Sequence, residues 1–170
     1  MSEPSTERWL RGPVEGVPAL LQPVAHALLQ VLDEVGLSLK GFNDQQLWEK
    51  PAGMASVGFH LQHMLGVLDR LSTYARGEQL SEEQLRYLQS EGIPENDYTT
   101  AANLIESLQQ KVDQVLVQLR NTDPASLTEA RGVGRRMLPS TVFGLLFHSA
   151  EHSMRHLGQL LVTVAIIRQQ

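Results

Sequence analysis

The chain of 170 residues contains no cysteine, and that one absence removes disulfides, thiolate metal ligands, iron–sulfur clusters and cysteine nucleophiles together. Any metal must be held by nitrogen or oxygen. Fourteen lysines and arginines stand against nineteen acidic residues, a formal net charge of -5, so the basic excess that phosphate-backbone binding requires is missing. Nucleic acid is not an expected partner. An unbroken apolar run is missing too: the most hydrophobic stretch, residues 141–167, carries His148, Glu151, His152, Arg155 and His156 near its middle. A bilayer-spanning helix would be heavily penalised for burying those groups, and no membrane span is expected. The opening MSEPSTERWLRGP places acidic residues and prolines where a secretory signal needs a positive start and an apolar run. Together with the lack of a disulfide framework this fits a cytoplasmic protein.

What is present is an ordinary globular balance, 42% hydrophobic and 19% charged, at a length that suits one domain over residues 1–170. Residues 19–35, with Pro18 or Pro23 near their start, carry Leu21, Val24, Ala25, Leu28, Leu29, Leu32 and Val35 at three- and four-residue spacings, which predicts a helix with one apolar stripe. A loop with one short turn over 42–48 follows. Ser56 then predicts the N-cap of a second helix to about 75, with Phe59, His60, His63, Met64, Val67, Leu68 and Leu71 inward. Ser81-Glu82-Glu83-Gln84 has capping-box form and opens a short connector helix, 82 to about 90. A third long helix runs from 100 to about 121. After a loop to Pro139, a fourth starts at Ser140 or Thr141 and continues to the end of the chain, ~40 Å long.

No strand-like alternation with hairpin signals is visible and no repeat. The pattern predicts an all-α four-helix bundle with a short connector helix between the second and third long helices. Trp9 and Trp48 are expected to pack over its ends. Bundles of this kind place metal and cofactor sites between facing helices, and the six histidines are the candidates. His148, His152 and His156 follow at i, i+4 and i+8, so successive rings are turned by only ~40° and can face one groove. His60 and His63 lie one turn apart on the second helix, while His26 stands alone. Two imidazoles at i and i+4 can chelate one ion, and a third from a facing helix completes a site with positions left open.

Two other metal patterns fit poorly. His148-Ser149-Ala150-Glu151-His152 has the H-x-x-E-H form of inverted zinc proteases, yet no Asp or Glu follows Glu151 to act as the further ligand. A di-iron carboxylate bundle needs E-x-x-H, and no such spacing occurs.

Ser56-Val57-Gly58-Phe59-His60-Leu61-Gln62-His63 and His152-Ser153-Met154-Arg155-His156-Leu157-Gly158-Gln159 resemble the serine-led second helix and the H-x-x-x-H-R-G-Q signature of the DinB-like (DinB/YfiT) metal-binding four-helix bundles. The resemblance spans nearly the whole chain. It implies His63, His152 and His156 as metal ligands, with Leu157 where the signature has arginine. His60 and His148 fall outside the basic pattern as extra ligands, as groups behind the ligands, or as neither. Also implied are a divalent ion, zinc or nickel, and a metal-dependent S-transferase joining a low-molecular-weight thiol, such as bacillithiol or mycothiol, to an electrophilic small molecule. A metal-dependent hydrolase and a non-catalytic, stress-associated metal-binding protein are the alternatives, and a homodimer is compatible with similar bundles.

Lesser candidates surround that triad. Gln159, at i+3 from His156, is placed to orient a ligand ring or a metal-bound water. Arg131, Arg135 and Arg136 crowd one loop, where guanidinium forks suit the carboxylates or phosphate of a thiol cosubstrate. Arg70 and Tyr74 lie on the cleft side of the second helix, and Glu151 points away from its histidine neighbour.

Overall fold

The computed structural model describes residues 6–96 and 98–169. Residues 1–5, part of the segment read as lacking an export signal, lie outside them. Helices dominate: α1 (Gln22–Ser38), α2 (Val57–Ala75), α3 (Glu82–Ser90), α4 (Ala101–Asn121) and α5 (Val142–Ile167). α2 packs against α5 and α4, α1 packs against the same two, and α3 lies on α2. Among the described residues no helix is long and apolar enough to cross a membrane.

The helix starts follow from caps that satisfy otherwise orphaned backbone N–H groups. The hydroxyls of Ser56, Thr100 and Thr141 accept from the amides of Phe59, Asn103 and Gly144. Ser81 and Gln84 form the reciprocal capping box of α3. α1 begins later than the period alone predicts, because residues 19–21 wind as a 3-10 turn before Pro23 enters the first α-turn. α5 stops at Ile167 rather than running to the end of the chain, and Arg168 there donates to the carbonyl of Lys40 at 3.0 Å. Val24, Leu28 and Val35 of α1, Leu61, Met64 and Leu68 of α2, Leu108, Val112 and Leu119 of α4 and Leu146, Leu157 and Leu160 of α5 meet in one core.

The all-α expectation needs one correction. Ala130–Val133 and Leu138–Thr141 pair as antiparallel strands β1 and β2, with Gly132 opposite Pro139. Pro139 argues against a strand in a larger sheet, but a two-stranded ribbon consists only of edges, where a missing N–H is tolerated. Gly134, at φ 67°, supplies the left-handed turn residue. Arg131 then ties the hairpin to the core, its Nε donating to the Ala75 carbonyl at the end of α2 at 2.9 Å.

Trp48 is half-buried against the start of α2, as expected of a residue over a helix end. Trp9 is not: it is 62% exposed, and its indole N–H donates to Glu7 at 2.6 Å.

Candidate metal centre

α2 and α5 face each other along much of their length, and that pairing brings their histidines together. His63 Nε2 and His152 Nε2 are 2.9 Å apart, and His60 Nδ1 and His156 Nδ1 are 3.1 Å apart. Ring centroids of His63 and His156 are separated by 4.4 Å and those of His152 and His156 by 4.7 Å. Ring nitrogens of His63, His152 and His156 all lie within 4.8 Å of one another. Two bonds of ~2.0–2.1 Å place donors of a tetrahedral ion ~3.3 Å apart, inside that spread, so the cluster could hold a metal.

Burial sets the charge state of these rings. Desolvation, helped by the neighbouring His63, pushes His60 down to about 4. The same causes, with His152 and His60 adding to them, push His156 down to about 3, and His152 is lowered as well. Neutral imidazoles expose lone pairs, which is the form a metal requires.

The second nitrogen of each ring is treated differently. His63 Nδ1–H donates to Glu91 Oε2 at 2.6 Å, leaving Nε2 free to face His152. His156 Nδ1 meets His60, which is only 2% exposed. His152 Nδ1 is buried without a hydrogen-bond partner. Phe59 stacks on the His63 ring at 5.2 Å with an interplanar angle of 12°, closing one face of the site.

Other expected residues fall around this cluster or away from it. His148 is exposed and bonds Glu151 Oε2 at 3.1 Å; it stands beside the His152 ring but outside the triad. Glu151 points away from the triad as expected, and two hydrogen bonds from Arg155 hold its carboxyl below the usual range. Gln159 is exposed and lines a groove with His60. Arg70 and Tyr74 do line the cleft, in a cavity of about 280 Å³ with His63, His148 and His152. Arg131 is spent on the Ala75 carbonyl and Glu129, and Arg135 and Arg136 are exposed on the hairpin turn. The cavities around His60 and around His63 and His152 are lined by other residues. His26, set aside from the outset, bonds the Gly12 carbonyl at 3.0 Å.

A family model described as DinB superfamily matches residues 26–160. The chain belongs to the DinB superfamily. The matched span runs from α1 into α5 and includes every histidine of the cluster, and this superfamily is metal-binding. No curated protein matches the chain.

One residue bonded into this cluster, Glu91, carries no signal of its own in the sequence. It follows α3 directly, and no periodic or motif signal marks it. The readable hint was Gly66, an isolated glycine inside a helix, where glycine costs ~1 kcal/mol against alanine and often has a packing reason. A Cβ there would stand 2.3 Å from Glu91 Oε1.

Proposed function

We propose that this DinB-superfamily protein is a four-helix-bundle S-transferase in which His63, His152 and His156 hold one divalent ion, zinc or nickel. A purely nitrogen donor set suits both metals. When bound, the ion supplies a Lewis acid that lowers the pKa of a thiol, so that thiolate exists near neutral pH. The sulfur then bonds to the electrophilic carbon of a second small molecule, the leaving group departs with its electron pair, and the thiol proton passes to solvent.

One observation carries the choice of thiol over water: both carboxylates beside the histidines are already engaged. Glu91 is held between His63 and Arg70, and Glu151 is bound by Arg155 and His148. Neither is free to serve as the general base a hydrolase would use. The cavities divide the substrates. A groove of about 670 Å³ between Pro51, Ala52 and the second half of α5, lined by Met54, His60, Val162 and Ile166, suits the apolar body of the electrophile. The smaller cavity containing His63, His152, Arg70 and Tyr74 suits the thiol and its polar groups.

Zinc-loaded and nickel-loaded protein should accelerate the reaction of 2-mercaptoethanol with a chlorodinitroarene, followed by absorbance, and chelation should abolish the acceleration. Turnover of ester or amide without added thiol would replace the proposal with hydrolysis. No metal-dependent turnover with any thiol tried would favour a non-catalytic metal-binding role.

A further inference from the structure

We propose that Glu91 is the positioning residue of this metal centre: from the end of α3 it decides which nitrogen His63 presents to the ion and so sets the affinity. The inference rests on the metal-site reading above. The Glu91 side chain is 5% exposed and has two partners, His63 Nδ1 and the Arg70 guanidinium, each at 2.6 Å. A carboxylate can only accept, so the His63 proton is drawn to Nδ1 and the lone pair stays on Nε2, 2.9 Å from His152. Arg70 holds Oε1 and thereby keeps Oε2 aimed at the ring. An imidazole backed by a carboxylate is the more basic ligand. His156 is backed only by another imidazole, His60, and His152 Nδ1 has no partner; Glu91 therefore gives the cluster one strong donor.

The surrounding residues are arranged to hold that carboxylate. Gly66 leaves the space: its added Cβ would meet Glu91 Oε1 at 2.3 Å and Arg70 at 2.6 Å. Gln62 fastens the turn after α3, donating to the Ile93 carbonyl at 2.9 Å and accepting from the Gly92 amide at 2.7 Å. Gly92, at φ 88°, turns the chain immediately past Glu91 and lies against Phe59, the residue stacked on His63. The segment that looks like a connector in the sequence thus belongs to the site.

Zinc affinity measured by competition with a chromogenic chelator tests this, with melting curves as a check on folding. Glu91→Gln has the same size but must turn an N–H toward either His63 or Arg70, and should bind zinc ~10–100-fold more weakly. Gly66→Ala keeps every charged group yet displaces the carboxylate, and should lose affinity in the same range. Long-range proton–nitrogen spectra of the imidazoles give a readout that a packing role would not move: His63 should carry its proton on Nδ1 in the wild type and populate both tautomers in Glu91→Gln. Should that variant fail to fold, the wild-type tautomer decides alone, Nδ1–H supporting the proposal and Nε2–H overturning it. A folded Glu91→Gln protein with zinc affinity within about twofold of wild type overturns it, since outer partners of this kind act at tenfold or more. Failure of the wild type to bind zinc overturns the metal reading and this proposal together. Zinc binding that is lost in His152→Ala but stays within about twofold of wild type in Glu91→Gln overturns this proposal alone.

Discussion

His152→Ala should abolish stoichiometric zinc or nickel binding while leaving the metal-free fold intact. The loss should exceed the ~10–100-fold typical of removing an outer partner, because a direct donor is removed. His152 is the cleanest of the three for this purpose. Replacing His63 would strand Glu91 and Arg70, and replacing His156 would leave buried His60 without its neighbour. His152 Nδ1 has no partner to strand. The effect should also be visible as stability, since a ligand at 100 times its Kd stabilises by ~2.7 kcal/mol. At ~2–4 °C per kcal/mol for a domain of this size, saturating metal should raise the wild-type Tm by about 5–10 °C and leave that of the variant unchanged. Full metal stoichiometry in His152→Ala would refute the ligand assignment.

Two glycines at helical positions should respond in opposite directions to the same substitution. A Cβ on Gly58 would lie 2.5 to 2.7 Å from three ring atoms of Trp48, closer than van der Waals contact allows. Trp48 is packed against the core, and the Gly58 amide is bonded to the Leu47 carbonyl at 2.8 Å, so neither side yields easily. Gly58→Ala should cost ~1–3 kcal/mol by overpacking and lower Tm by several degrees. A Cβ on Gly158 would meet nothing within 4 Å. Gly158→Ala removes the entropic cost of glycine in a helix and should add ~0.5–1 kcal/mol, a Tm gain of a few degrees by scanning fluorimetry. Similar losses in both variants would contradict the placement of Gly158 on an open groove.

The long helices were legible because their apolar residues recur at helical spacing and their caps are written locally, Ser56, Ser81 and Thr141 each directly before a periodic run. The triad was legible through the same period and the family resemblance. What escaped depends on contacts between distant segments. Glu91 matters only because α3 folds back on α2 and Gly66 leaves a gap there, and neither fact is local. The hairpin escaped because four-residue strands containing an arginine and a proline carry no clear alternation. His148 shares the four-residue ladder of His152 and His156, but its ring belongs to the solvent-side network of Glu151 and Arg155. Spacing alone does not say where along a helix the facing helix supplies its partner.

The most direct test of the central claim is metal analysis of the protein purified without a histidine tag, before and after incubation with zinc or nickel and removal of the excess. About one divalent ion per chain is expected, released by chelator and restored on readdition, as a three-histidine site requires. Metal well below that level, and not restored by either ion, would contradict it.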